Sequence, residues 1–360
     1  MVVGTIDLTS KFSLAYTSEN AAFAKALFNH RSNQDANNLI AEGIQNTLSS
    51  QYQNLFKYLM IREASLDNSE LCMLSLLKNN SYPITFYDFG VAGNRGQIIA
   101  DNLTKLGGVN GTLINEIGLV DKSAALLEDA LKSSRDSGLK VRYVQDSDFI
   151  DATLVPFYEE TNMPILQADR ISGEFLYANC RASLEKRVFG LLGRTLNNLE
   201  SPEKLIEKIS DNMTPLDILV IEARTKQIPK YEDSSEFFIG HVKQNIGLKS
   251  DEFRIYFENS NDTIKAYAIT LKDVNLKSGN VKEGQKLLLA YNKPLNSLSL
   301  SISAYHYDLG LVAMQNNGAD TIFYFSKHFH DPEDTDILSS RYRNGIKHLD
   351  SERQVFNILN

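Results

Sequence analysis

The sequence predicts an α/β chain: a seven-stranded, mostly parallel sheet with helices on both faces, a helical N-terminal segment and an inserted α+β lobe. Three observations carry this expectation. From Pro83 to about Glu222, short apolar runs alternate with amphipathic ones, as in repeated strand–helix–strand units. The first of these runs, Ile84-Thr85-Phe86-Tyr87-Asp88-Phe89, opens onto Gly90-Val91-Ala92-Gly93-Asn94-Arg95-Gly96, where glycine lets the backbone turn sharply and approach a ligand. Beyond Arg224 the pattern becomes strict alternation of apolar and polar residues, the mark of antiparallel strands.

Taken in order, Asn20 to about Asn80 is helical, with Leu39, Ile44, Leu48, Tyr52, Leu55, Phe56 and Leu59 mostly at three- and four-residue intervals. Ile84–Phe89 is the first strand of the parallel sheet, and Ile98, Ile99, Asn102, Leu103 and Leu106 mark the helix after it. Gly118-Leu119-Val120 ends in Asp121, and Val141-Arg142-Tyr143-Val144 leads into Gln145-Asp146-Ser147-Asp148-Phe149. Arg187–Leu192 is the fourth strand; a helix then starts near Ser201-Pro202-Glu203, with a serine cap and proline in its first turn, and Asp217–Glu222 is the next strand. A polar helix spans about Ser235 to Asn245. Phe253–Glu258 and Ile264–Lys272 form a hairpin around Asn259-Ser260-Asn261-Asp262, and Leu287–Tyr291 adds a strand. Ser303–Gln315 reads as a helix stopped by Asn316-Asn317-Gly318, and Thr321–Ser326 as a final strand. The expected organisation is a helical lead-in over 1–80 contributing to the substrate lobe, a cofactor domain over 81–224 and 298–330, an inserted substrate lobe over 225–297, and a tail over 331–360.

The acidic residues at the strand ends suggest the ligand. A carboxylate at the tip of the second parallel strand, Asp121, is where ribose hydroxyls are held. A dinucleotide site would show a tighter Gly-x-Gly-x-x-Gly with a phosphate at the helix N-terminus. Asp88 with Gly90 and Gly93, Asp121, and the pair Asp148 and Phe149 instead suit S-adenosyl-L-methionine, which carries no phosphate but has an ammonium, a ribose and an adenine. Asp88 is either a cofactor contact or simply the residue that ends its strand.

Composition narrows the class. At 360 residues two packed domains are the default, and 42% hydrophobic content is ample for their cores. A net charge of −8 with no dense Lys/Arg run argues against nucleic acid or an anionic membrane as the main partner. Cys72 and Cys180, far apart and outside any Cys/His spacing, read as buried free thiols. His328 and His330 alternate beside an acidic run but lack a third ligand, so no metal is expected. Neither a leader pattern nor a long apolar stretch is visible, and a cytoplasmic protein is expected.

With these elements in order, residues from about 80 to 326 resemble the histidine-specific S-adenosylmethionine-dependent methyltransferases of the ergothioneine pathway, which have a Rossmann-like class I methyltransferase domain. The resemblance rests on Phe189-Gly190-Leu191-Leu192-Gly193-Arg194-Thr195-Leu196-Asn197-Asn198-Leu199, similar to the family's Leu-Gly-Ser-Thr-Ile-Gly-Asn-Leu segment, and on Lys230-Tyr231-Glu232-Asp233 followed by Phe238 and Asn245. It implies that Asn198 holds the amino-acid part of the acceptor, that Tyr231 lies near the reacting amine, and that Tyr58 with Arg62 is the counterpart of a substrate lid. Where the family carries a Glu-x-Ser pair for the imidazole, this chain has Ala290 and Asn292. Without that carboxylate a site built to read hydrogen bonds discriminates strongly against histidine. Ala92 and Arg95 also depart, in a segment where the family is richer in glycine and carries a lysine.

Methyl transfer from a sulfonium is an in-line displacement governed by positioning, needing neither metal nor covalent nucleophile. The expected activity is N-methylation of an amino acid or related small amine in specialised metabolism, with Tyr231 and Asn198 as catalytic candidates. The bland readings are that Asn198 caps a helix or turn and that Tyr231 is a surface loop tyrosine. Two alternatives stand beside this: methylation of a peptide or protein side chain, and a catalytically silent binding module on the same fold.

Overall fold

The computed structural model describes residues 5–7, 34–66, 68–78, 84–91, 94–106, 114–121, 123–146, 186–199, 201–213, 217–225, 235–260, 263–276, 279–296, 309–318 and 320–327, with Leu300, Ala304 and Tyr307 as isolated positions. Its strands are β1 (Thr5–Asp7), β2 (Ile84–Phe89), β3 (Ile114–Asp121), β4 (Lys140–Asp146), β5 (Lys186–Leu191), β6 (Ile218–Arg224), β7 (Phe253–Ser260), β8 (Thr263–Thr270), β9 (Val274–Leu276), β10 (Gly279–Val281), β11 (Lys286–Asn292), β12 (Leu309–Asn317) and β13 (Asp320–Lys327). The helices are α1 (Gln34–Ile61), α2 (Asn68–Lys78), α3 (Arg95–Leu106), α4 (Ala124–Asp136), α5 (Pro202–Asn212) and α6 (Ser235–His241).

Seven strands form the main sheet in the order β12-β13-β6-β5-β2-β3-β4. The pairs among β6, β5, β2, β3 and β4 are parallel, whereas β13 pairs antiparallel with both β6 and β12. Strand order reverses at β2, so the crevice above the carboxyl ends of β2 and β5 is the switch point where such sheets bind ligands. This order, with one antiparallel strand inserted near the edge, is the Rossmann-like class I methyltransferase topology.

Period-two alternation divides the strand residues between two cores. Ile84, Phe86, Ile117, Leu119, Val188, Ile218, Val220, Ile322 and Tyr324 face Ile40, Ile44 and Leu48 of α1, Ile99 and Leu103 of α3, and Leu127 of α4. Tyr87, Phe89, Phe189, Leu191, Leu219, Ile221, Phe323 and Phe325 face the other way, onto Leu205, Ile206 and Ile209 of α5. Both faces are covered, which explains why the parallel strands read as nearly continuous apolar runs.

A second sheet, ordered β1-β11-β8-β7, has its own core of Phe238, Val242, Phe253, Ala266, Ala268, Leu287 and Leu289. The strand β1, which the helical reading of the first 80 residues did not foresee, pairs parallel with β11 here. The expected hairpin is β7–β8, and α6 continues into a π turn over Val242–Ile246.

Two expectations are corrected. The segment read as a helix over Ser303–Gln315 runs into β12, which pairs antiparallel with β13 through a bulge between Leu311 and Ala313, and Gly318 at φ 64° turns the hairpin instead of stopping a helix. Leu309-Gly310-Leu311-Val312-Ala313-Met314 is apolar without clear period, and pairing to β13 decides its state over the helix preference of Leu, Ala and Met. At α5, Pro202 occupies the first turn as expected, but the Ser201 side chain makes no cap bond; only its carbonyl is used, accepting from the Lys204 N–H.

The helix α1 crosses the sheet from its carboxyl edge to its amino edge. Near its start Asn37 meets Arg95 of α3. Midway, Gly43 packs on the Tyr324 ring, whose hydroxyl lies 3.1 Å from the Leu39 carbonyl and 2.9 Å from Gln315 Oε1. Further on, the buried Lys186 at the start of β5 donates to the Leu48 carbonyl (3.1 Å) and sits 3.2 Å from the centre of the Tyr52 ring. A Cβ at Gly43 would fall 2.1 Å from Tyr324 Cζ. Gly43→Ala is therefore expected to cost about 1–3 kcal/mol by overpacking, despite alanine's better helix propensity. Denaturant unfolding checks this, and an unchanged or raised stability would contradict the packing.

Candidate functional site

Alternation places three charges on the α1/α3 face at the carboxyl edge. Asp88 follows Phe86 on β2, Glu222 follows Val220 on β6, and Arg95 begins α3. All three are buried. Arg95 Nη1 donates to Glu222 Oε2 at 2.6 Å, and Arg95 Nε donates to Asn37 Oδ1 at 2.8 Å. The Gly193 N–H, from the segment after β5, donates to the same Glu222 oxygen at 2.6 Å. Burial pushes the Asp88 carboxyl up to about 6, against the pull of the Arg95 guanidinium and the Gly96 N–H. Gly96 admits Asp88 because it has no Cβ; one would sit 2.6 Å from Asp88 Oδ2.

On the cofactor side, Gly90 turns the chain out of β2 at φ 81°, a conformation that favours glycine, and its N–H donates to the Val120 carbonyl at 2.9 Å. Asp121 ends the neighbouring strand, and its carboxylate accepts the Ser123 N–H at 2.7 Å. Ser123 in turn caps α4, accepting the Leu126 N–H. Asp121 thus already orders the β3–α4 turn, with its side chain at the edge where Gly90 leaves. Asp146 closes β4 opposite it. Gly93, Asp148 and Phe149 lie outside the described residues.

On the opposite side, Gly193 and Arg194 are both left-handed (φ 65°) and lead into the 3-10 turn Thr195–Asn198. The Arg194 guanidinium grips Asp320 at 2.9 and 2.5 Å, and Arg224 Nε reaches the same carboxylate at 3.3 Å. Asn197 is fully buried: its amide donates to the Arg224 and Lys293 carbonyls, its Oδ1 accepts the Arg224 N–H, and its carbonyl accepts the Lys293 N–H. These bonds dock the exit of β11 against the main sheet. They bring the chain position of Asn292 beside Asn198, which is part-buried at the end of the turn. Ala290 pairs with Ala266 two positions earlier on β11.

Tyr58 is not brought to this edge. It lies beyond the Lys186 contacts, about 30 Å along α1 from Asn37 at about 1.5 Å per residue, packed against the α1–α2 cluster with Arg62 over its ring. Phe238 is likewise core, edge-on to Phe257. Tyr231 lies outside the described residues, as do His328 and His330. Among the described residues no group of three or more His, Cys, Asp and Glu could hold a metal, and no helix is long and apolar enough to cross a membrane. The residues the sequence reading missed are Glu222, Asn197 and Asp320. Glu222 had a signal, the first charge after the apolar run Ile218–Ile221; Asn197 had none that separated it from Asn198.

No family model matches the chain, and no curated protein does. Among solved structures, the CcbJ methyltransferase from Streptomyces caelestis is 13% identical, with 73% of this chain and 98% of that one covered and a TM-score of 0.35. The glycopeptide N-methyltransferase MtfA complexed with sinefungin is 9% identical over 73% of this chain and 95% of its own, TM-score 0.32. An S-adenosylmethionine-dependent methyltransferase from Methanosarcina mazei is 8% identical over 70% and 94%, TM-score 0.36. The fold assignment rests on the strand order and not on these likenesses.

The Asp88 carboxyl binds its proton more tightly when folded than the ordinary 3.8. Protonation therefore favours the folded state, a contribution complete below about pH 3.8 and lost as the pH rises through about 6. Relative to Asp88→Asn, which is neutral throughout, the wild type is expected to lose about 3 kcal/mol between about pH 4 and pH 7. Urea unfolding of the two proteins across that range checks it; a flat or opposite difference would contradict the buried setting of Asp88.

Proposed function

We propose that the carboxyl edge of the main sheet binds S-adenosyl-L-methionine and that the protein is a methyltransferase acting on the nitrogen of an amino acid or related small amine. The observation that supports this best is the left-handed turn at Gly90, bonded to Val120, between two carboxylates in the last two residues of adjacent parallel strands. The donor chemistry fits the cofactor. Above about pH 6 Asp88 and Glu222 outnumber Arg95 by one charge, so the compartment under the turn favours a cationic ligand over a pyrophosphate. Asp121 offers carboxylate oxygen to a ribose diol, the Gly90 backbone with Gly93 is assigned to the amino-acid end, and Asp148 with Phe149 is assigned to the adenine.

When bound, the cofactor supplies an electrophilic methyl on a sulfonium. The chain's own residues then orient the acceptor. Asn198 at the end of its turn is assigned to the acceptor's carboxylate or amine, and Tyr231 to orienting the amine and relaying its proton so that nitrogen attacks in its neutral form. The β11 positions Ala290 and Asn292 border the same side, where an alanine cannot grip an imidazole as a glutamate would; the acceptor is thus an amine other than histidine.

Calorimetry with adenosylmethionine and adenosylhomocysteine tests this. The wild type is expected to bind with a dissociation constant on the order of micromolar, and Asp121→Asn, which keeps an acceptor for the Ser123 N–H but loses the charge, at least about tenfold more weakly. Absence of binding by the wild type would leave a silent module on a methyltransferase fold.

A further inference from the structure

One oxygen of Glu222 touches both halves of the site. Through Arg95 it holds the first residue of α3, where the glycine turn ends; through the Gly193 N–H it holds the start of the segment that carries Asn198 and, by way of Asn197, docks β11. Asn37 fixes Arg95 from a third element. The segment needs such a hold, because Gly193 is followed by Arg194, a non-glycine residue at φ 65°. Stability alone does not require charge here, since a buried ion pair exchanged for apolar side chains of similar volume often leaves a fold as stable as before. What apolar side chains cannot supply is an acceptor for the Gly193 N–H.

We propose that Glu222 is a positioning residue that sets the cofactor turn and the acceptor segment in register with each other, Arg95 holding its carboxylate toward Gly193. This rests on the methyltransferase reading above. It predicts that the fold tolerates loss of the ion pair while ligand binding does not, and that a neutral acceptor at the same place restores much of the binding.

The test compares two double variants in the full chain, Arg95→Met with Glu222→Leu and Arg95→Met with Glu222→Gln, using adenosylhomocysteine as the calorimetric probe. Both remove the ion pair; only the glutamine keeps an oxygen for Gly193. Both variants are expected to keep a cooperative melting transition, lowered from wild type to a similar extent because Asp88 loses its cation in each, while the leucine variant binds at least about tenfold more weakly than wild type and the glutamine variant recovers most of that loss. Wild-type affinity in the leucine variant, or no recovery with glutamine, overturns the proposal. Should the double variants fail to fold, Glu222→Asp keeps the charge but withdraws it from both partners; undiminished affinity there overturns the proposal equally. A wild-type protein that binds neither adenosylhomocysteine nor adenosylmethionine overturns the methyltransferase reading itself, a result distinct from variants that bind as the wild type does.

Discussion

One guanidinium and two carboxylates share a water-excluded compartment at the carboxyl edge of the sheet, and much of the surrounding structure keeps them paired. Removing such charges from water costs several kcal/mol per ion, and removing one partner typically costs about 3–5 kcal/mol because the other is stranded. Arg95 therefore donates to Glu222 and Asn37 at once. Glu222 is neutralised by Arg95 and the Gly193 N–H. Asp88 is the least compensated of the three, which is why desolvation outweighs its attraction to Arg95. The tight approach of α1, α3, β2 and β6, and the bare Cα of Gly96, follow from fitting this group together.

The two edges of the sheet are built for different purposes. At the amino edge Asp217 takes the Arg187 backbone and guanidinium, and Lys186 is sealed between Tyr52, Leu48 and Gln51. Those charges end on backbone carbonyls and neighbouring strands. At the carboxyl edge the polar side chains end on turns: Glu222 on Gly193, Asp320 on Arg194, Asp121 on Ser123, and Asn197 on the exit of the second sheet. Polar groups spent on fixing turns are what a site needs when its reaction depends on positioning.

The sequence was most legible where burial is symmetrical. Strands β2, β3, β5 and β6 are covered on both faces, so their apolar runs stand out, and the acidic residue in the last two positions of each of β2 and β3 marks the edge. It was least legible at β12, an edge strand with Leu311, Val312 and Met314 exposed, whose state is set by pairing to β13. Periodicity gives α1 its buried face but not its direction across the sheet, so nothing in it opposes the lid role that the resemblance implies for Tyr58, which lies at the far end of the helix from the carboxyl edge. Arg95 stands out in the sequence only as a departure from a resemblance; its pairing with Glu222, some 130 residues away, becomes visible only when β6 and α3 are packed.

The central claim is that the turn at Gly90, the end of β3 and the segment from Gly193 surround one ligand site. Amide hydrogen exchange followed by mass spectrometry, with and without adenosylhomocysteine, tests it most directly. Protection gained in peptides covering 88–96, 119–123 and 193–198, and absent from the amino edge around Lys186 and Gln51, is the predicted result; protection confined to other parts of the chain, or binding that leaves these peptides unchanged, would contradict it.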